Sequence, residues 1–263
     1  MLLNTTIKSV TSLLFLAVTL FSHSIFAAQK LPEFSAKYAV EKYGIKVAEA
    51  HYQLRYTKSG YKFSQNTKLH GLASILGNDS VSAFSLIDKI GDKLLLTKHK
   101  YTQTGREKNR DEEFKILWQP DENILRGKIT GIVREKKINI QAQSEVWEAL
   151  SFQIPLMIDA NINVKNYPYK AILKGKINTY NFILESTQEV IYAGNNYKAL
   201  QMVRTDPNKN RQLHIWLVPD LNNIPIIIET YRKGKIDTHM QLEKLQFNNE
   251  KPLIAATDED DEF

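Results

Sequence analysis

The chain has 263 residues, of which 43% are hydrophobic, 10% aromatic and 24% charged, and its formal net charge is +6. Those fractions are those of an ordinary globular protein, which excludes wholesale disorder and collagen-like repeats. It contains no cysteine, so disulfide scaffolds, Cys-based zinc sites, iron–sulfur clusters, thiol nucleophiles and lipid attachment at an N-terminal cysteine are excluded too.

Residues 1–27 read as a secretory signal peptide. Lys8 is the one charge before Lys30, and Val10 to Phe21 forms an apolar run that includes Leu13, Leu14, Phe15, Leu16 and Leu20. A short polar break (Ser22, His23, Ser24) leads to Ile25, Phe26, Ala27 and Ala28. The small residue at the cleavage point favours a cut after Ala27. The run is short for a bilayer span, no stop-transfer charges follow it, and no later apolar run reaches the ~18 residues a span requires. The expected product begins at Ala28, is periplasmic, is not a lipoprotein and has no transmembrane span.

From Phe34 onward, period-two alternation dominates. Phe34, Ala36, Tyr38 and Val40 share one face of a strand, and Ser35, Lys37 and Glu41 point the other way. After the turn at Tyr43-Gly44-Ile45, Ala48, Ala50, Tyr52, Leu54 and Tyr56 alternate with Val47, Glu49, His51, Gln53 and Arg55. Lys58-Ser59-Gly60 turns again into Tyr61, Phe63, Gln65, Thr67 and Leu69, which completes a three-stranded antiparallel meander. Gly71 to Asp79 breaks the period as a loop or one helical turn. Strand patterns resume at Val81 to Ile87, Leu94 to Tyr101, Glu113 to Trp118, Ile124 to Ile129 and Ile138 to Ala142. Lys89 to Asp92, Gly105 to Asp111 and Pro120 to Asn123 lie between them, and each carries the Gly, Pro, Asn or Asp that tight turns demand.

One helix is expected, over about Ser144 to Asp159. Ser144 is a candidate N-cap with Glu145 and Glu148 behind it, and Val146, Trp147, Leu150 and Ile154 recur at helical spacing. Pro155 is expected to end or bend it. Strands then return at Tyr169 to Leu173, Thr179 to Glu185, Glu189 to Tyr192, Tyr197 to Arg204, Arg211 to Val218, Ile224 to Tyr231 and Ile236 to Leu245. The run from Leu213 to Val218 is apolar on nearly both faces, which places Trp216 in packed interior. Pro225 belongs at a strand start, where no ladder hydrogen bond is lost.

Chemistry is hard to find. His51, His70, His99, His214 and His239 remain after processing, none within four residues of another. No helical His-based zinc motif exists, and each reads as an outward polar residue on a strand. There is no Gly-x-Ser-x-Gly elbow, no β-lactamase set and no P-loop. The acidic pairs Glu112 with Glu113 and Glu41 with Glu49 read as solvated surface carboxylates rather than a glycosidase pair. No catalytic, cofactor-binding or metal-binding residue is assigned, no cofactor is implied, and the reading leans away from an enzyme.

Charge is distributed unevenly. Removing Lys8 with the signal leaves +5, and setting aside the five acids of Thr257 to Phe263 leaves +10 on the body. Such a body suits phosphorylated lipid headgroups or polyanionic sugars, and equally a solubilising surface. Lys128, Arg134, Lys136 and Lys137 are its densest basic stretch. Nucleic acid is not an expected partner, because no recognition motif is present.

The stretch Phe34-Ser-Ala-Lys-Tyr38-Ala-Val, with Gly44 to Ala50 and then Gly60-Tyr61, resembles the start of an exported bacterial family catalogued as a domain of unknown function, number thirty-one-oh-eight. The likeness continues through Gly194 to Leu200, Arg211 to Leu217, Pro219-Asp220 and Ile224-Pro225-Ile226, and spans most of Phe34 to Phe247. Ala48 stands where this family usually has a glycine. The resemblance implies an envelope-located all-β fold with a long curved antiparallel sheet, and it transfers no catalytic residue. The Trp-Leu…Pro hairpin also resembles, more weakly, one in half-barrel periplasmic lipoprotein carriers.

The fold expected is therefore all-β: a strongly curved antiparallel sheet, or a half-open barrel or sandwich, with one short helix near residues 144–159. It divides into a signal peptide over 1–27, a β domain over 28–250 and an acidic tail over 251–263. The β domain has halves at 34–142 and 169–247, joined by the helical connection. The expected function is non-enzymatic binding of an apolar or lipid-like ligand, or a role in envelope assembly. Two alternatives stand beside it: a structural partner that docks by a sheet edge, and a hydrolase of envelope polysaccharide. The ligand-binding residues, the protein partners and the oligomeric state are not legible in the sequence.

Overall fold

Apolar side chains at every second position give each segment one face that leaves water and one that stays in it. The computed structural model describes residues 31–70, 80–105, 109–120, 124–205, 210–248 and 253–254. The signal segment 1–27, the Gly71 to Asp79 stretch and the acids after Thr257 lie outside the described residues. The first eight strands are β1 (Phe34–Lys42), β2 (Ile45–Tyr56), β3 (Gly60–Leu69), β4 (Ser80–Ile90), β5 (Lys93–Gln103), β6 (Glu112–Pro120), β7 (Leu125–Val133) and β8 (Lys136–Ala142). A helix, α1 (Gln153–Asp159), precedes β9 (Asn166–Leu173), β10 (Lys176–Tyr192), β11 (Asn195–Thr205) and β12 (Arg211–Val218). Then come β13 (Ile224–Arg232), β14 (Lys235–Phe247) and β15 (Leu253–Ile254).

The strands form one antiparallel sheet in the order β8-β7-β6-β5-β4-β3-β2-β1-β14-β13-β12-β11-β10-β9. Two up-and-down meanders thus meet where β1 pairs with β14. β15 pairs with Lys244 and Leu245 of β14, so pairing extends into the stretch 251–263. β8 and β9 are not hydrogen-bonded to each other, and the sheet stays unclosed. Its two ends still approach: a Cβ placed on Gly175, in the β9–β10 turn, would lie 3.1 Å from Cγ2 of Ile138 on β8. The expected curved, half-open all-β architecture is the observed one.

Three local expectations are corrected. Residues 144–152 are not helical; the helix is Gln153–Asp159 alone. The backbone of Trp147 is committed to β9, and Glu148 turns back to accept from the N–H groups of Leu150 and Ser151. Both arrangements are incompatible with a continuous helical ladder. Pro155 does not end the helix but sits in its first turn, where its missing N–H has no intrahelical partner to lose. Strand β10 runs unbroken over 17 residues, because a bulge between Leu184 and Ser186 absorbs the irregularity that split it in the sequence reading. The β7–β8 turn carries no sequence signal at all: Arg134 and Glu135 both take positive φ, 50° and 68°, without a glycine. Pro225, as expected, lies at a strand start beside a bulge and frees its carbonyl for the Tyr38 hydroxyl, which donates at 2.7 Å.

The inner face is packed rather than hollow. Val146, Trp147, Leu150, Phe152, Ile154, Leu156 and Met157 are each at most 5% exposed and fill the space inside the curved sheet. Phe152 stacks on Phe182 with centroids 5.2 Å apart, and Phe63 sits against Phe34 and Tyr52.

On the outer side, Lys37 and Lys46 each bridge Glu49 of β2 and Glu243 of β14, at 2.6–3.3 Å. The hydrogen bond from Lys37, with that from Lys46, pulls the Glu49 carboxyl from 4.5 down to about 2. Because the folded value lies below the ordinary one, this stabilisation is full above pH 4.5 and is lost as the pH falls from there toward 2. Glu49→Gln is expected to flatten that acid limb when urea unfolding is followed across the same window. An unchanged limb would mean that the network adds nothing to stability.

Candidate functional site

The chain leaves β8 at Ala142 and must reach β9 at Asn166, so residues 143–165 cross the seam between the two ends of the sheet. Trp147 anchors the crossing. Its N–H donates to the Lys170 carbonyl at 2.9 Å, and its carbonyl accepts from the Ile172 N–H at 2.8 Å, a parallel bridge onto the β9 edge. A depression lies on either side of this anchor.

The larger is a groove of about 640 Å³. Leu125, Trp147, Pro168 and Tyr169 supply its apolar wall, while Lys93, Glu145, Lys170 and Thr179 line it with polar groups. Lys93 reaches Glu145 at 2.8 Å. The Tyr169 hydroxyl donates to Asp159 at 3.0 Å. Burial pushes both the Asp159 carboxyl and the Tyr169 phenol up. Ser144 also lines the groove, and its Oγ is buried with no hydrogen-bond partner among the described residues.

The smaller cavity, about 170 Å³, is lined by Gln65, Tyr101, Glu112, Arg134, His99 and Glu148, among others. Glu112 faces Arg134 at 3.4 Å. Burial pushes its carboxyl up, against the pull of His99 and Arg134. Beneath it lies a fully buried polar set of Ser85, His99 and Glu148, at 0%, 3% and 2% exposure. Ser85 Oγ donates to Glu148 Oε1 at 2.6 Å and lies 3.1 Å from His99 Nδ1. Glu148 also accepts from the N–H groups of Ser151 and Leu150, both at 2.7 Å.

This set has the residue types of an acyl-transfer triad but not its geometry. A nucleophilic serine and its orienting carboxylate must sit on opposite ring nitrogens. Here both approach Nδ1 of His99, with Glu148 Oε2 at 3.4 Å, and the serine hydroxyl gives its hydrogen to the carboxylate. The cluster is a satisfied polar core that fixes the crossing segment to β4 and β5.

The outward reading of His99 is corrected by this cluster. Alternation did carry a signal, since Ser85 falls between the inward Ala83 and Ile87, but Glu148 is 63 residues from Ser85 and nothing local announces the pairing. The Glu112–Glu113 pair is split by the pleat: Glu112 faces the cavity, and Glu113 bridges Lys98 and Lys100 outside. His51 and His70 are exposed, as read from the sequence. His239 instead contacts the buried Glu229 at 2.9 Å, and burial lowers the pKa of His214. Among the described residues, no group of three His, Cys, Asp or Glu side chains is placed to hold a metal ion. Among the same residues, no helix is long and apolar enough to cross a membrane.

A family model described as protein of unknown function (DUF3108) matches residues 33–240. The chain belongs to the DUF3108 family. The match covers the first meander, the crossing segment and the second meander into β14, nearly the span over which the sequence motifs resemble the family. This DUF3108 chain is also similar to the crystal structure of a beta-barrel-like protein of domain of unknown function DUF1849 from Brucella abortus. The likeness covers 84% of this chain and 99% of that one, with a TM-score of 0.53 and 9% sequence identity. At that identity it is a likeness of fold alone, and it agrees with a barrel-like curvature. No curated protein matches the chain.

Proposed function

We propose that the chain is exported, is cut after Ala27, and acts in the cell envelope as a non-enzymatic binder of an amphipathic, lipid-like ligand. The observation that carries this reading is the groove beside Trp147. Its volume of about 640 Å³ falls within the roughly 300–1,000 Å³ usual for small-molecule sites. Apolar burial against Leu125, Trp147 and Tyr169 supplies affinity at ~25 cal/mol per Å². The ammonium of Lys170 and the unpartnered Ser144 hydroxyl offer polar anchors for a headgroup. The packed interior argues that the ligand lies at the seam rather than inside the curve of the sheet. The hydrolase alternative gains nothing from Glu148, whose oxygens are already taken by Ser85 and two backbone N–H groups. Strand β8, paired on one side only among the described residues, favours the second reading, a partner docking by a sheet edge.

Native mass spectrometry of the protein recovered from the periplasm tests the proposal. The expected result is a chain beginning at Ala28 with a lipid-sized adduct, and loss of that adduct in Thr179→Trp, which fills the groove. A chain that keeps Met1 would end the export reading. A processed chain that carries no adduct and fails to bind added dodecyl phosphate would end the ligand reading.

A further inference from the structure

The outer face of β3–β8 carries a set of lysines drawn from several strands. Alternation sends Phe63, Ala83, Ile87, Phe114, Ile116 and Ile129 inward, each at most 4% exposed. The residues between them point outward: Lys62 on β3, Lys98 and Lys100 on β5, Lys115 on β6, Lys128 on β7 and Lys137 on β8. Two acids share this face: Glu113 reaches Lys98 and Lys100 at 3.4 and 3.2 Å, and Asp88 of β4 accepts from the Ser59 and Thr97 hydroxyls. Lys98 stands directly opposite Lys115 across the β5–β6 ladder. Like charges in that register cost stability; Glu113 offsets Lys98, and an external anion beside Lys115 would relieve the pair further.

Apolar side chains are interleaved with these lysines. Leu117 lies opposite Lys128 and Ile132 opposite Lys137, and the two are 58% and 50% exposed. The ammonium groups of Lys62 and Lys98 stand 5.2 and 5.8 Å from the Phe84 ring centroid. Charge alone would suit any polyanion. Aliphatic side chains raised among lysines suit a phospholipid surface better, because they gain by entering the headgroup–acyl boundary while the ammonium groups reach phosphates.

We propose that the outer face of β3–β8 docks on an anionic phospholipid surface. The densest basic stretch in the sequence is Lys128, Arg134, Lys136 and Lys137. Lys128 and Lys137 of that stretch do belong to this face, but Arg134 is turned to Glu112 in the smaller cavity. The docking face is therefore assembled across six strands and is independent of the groove reading.

The test is co-sedimentation of the chain, expressed with its own N-terminal segment, with phosphatidylglycerol–phosphatidylcholine vesicles. The wild type is expected to pellet at low salt and to release at high salt. Each lysine near an anionic surface is worth about fivefold in partitioning, so Lys115→Glu, Lys128→Glu and Lys137→Glu, which also add repulsion, together should weaken it by at least about a hundredfold. These exposed positions leave the inner face untouched, and an unchanged circular-dichroism melt confirms the fold. Thr179→Trp is expected to pellet like the wild type. Wild-type pelleting of the triple variant would overturn the proposal, as would loss of pelleting in Thr179→Trp, which would move the contact to the groove. Failure to pellet, combined with retention on dextran-sulfate beads, would overturn it in favour of a polyanion site.

Discussion

Glu148→Ala is expected to cost about 3–5 kcal/mol, the range for removing one partner from a buried charged network. The carboxylate accepts from Ser85 Oγ and from the N–H groups of Leu150 and Ser151, and it lies 3.4 Å from His99 Nδ1. Truncation leaves the N–H groups of Leu150 and Ser151 buried without that acceptor, at about 1–3 kcal/mol each where water cannot enter, and leaves Ser85 Oγ with His99 Nδ1 alone. Glu148→Gln keeps the volume and one acceptor but turns an amide N–H₂ toward a donor, so it should fall between alanine and wild type. The effect should also spread through the chain. Glu148 follows the residue that bridges β9, so its loss should raise hydrogen exchange at the Ile172 amide, which donates to the Trp147 carbonyl. Urea unfolding read by tryptophan fluorescence measures the first effect, and exchange mass spectrometry measures the second. A loss below about 1 kcal/mol would mean that water replaces the carboxylate and that the cluster does not hold the seam.

Trp216→Ala is expected to cost about 3–5 kcal/mol, the range for emptying a large buried aromatic site. Trp216 is 7% exposed, its ring centroid lies 5.9 Å from that of His214, and its Nε1–H donates to Gln188 Oε1 at 3.1 Å. It stands in register with Gln201 of β11 and Ile227 of β13, so its removal opens a void spanning three strands. Trp216→Phe retains most of the contact and should cost less than half as much. The denaturant midpoint should fall with the slope unchanged, because the area exposed on unfolding barely alters. A midpoint near the wild-type value would show that neighbouring side chains collapse into the space.

Much of this architecture was legible along the chain. The first meander follows from alternation, the interior place of Trp216 from a run apolar on nearly both faces, and the strand-start position of Pro225 from the missing N–H of proline. Those are properties of a residue and its near neighbours. The failures share the opposite character. The stretch from Ser144 to Phe152 has helical spacing, yet it is extended at Trp147 because β9 presents an open edge there, and bent at Glu148 because Ser85 and His99 wait inside. Arg134 and Glu135 turn the chain without glycine because the β7 and β8 registers on either side leave no other path.

The candidate site divides in the same way. Every residue of the groove and of the smaller cavity is ordinary in its own segment: a serine on a strand, a histidine among lysines, a glutamate at an apparent helix start. What the sequence by itself determined is which face of each strand is apolar, where most turns fall, and that the body carries an excess of lysine. The tertiary structure alone decided that the two ends of the sheet approach without closing, that Trp147 bridges onto β9, and that Glu148 is buried against partners 49 and 63 residues away. The reason is physical. Alternation costs nothing beyond the pleat and is written locally, whereas a buried carboxylate exists only where distant strands bring enough donors to replace its water.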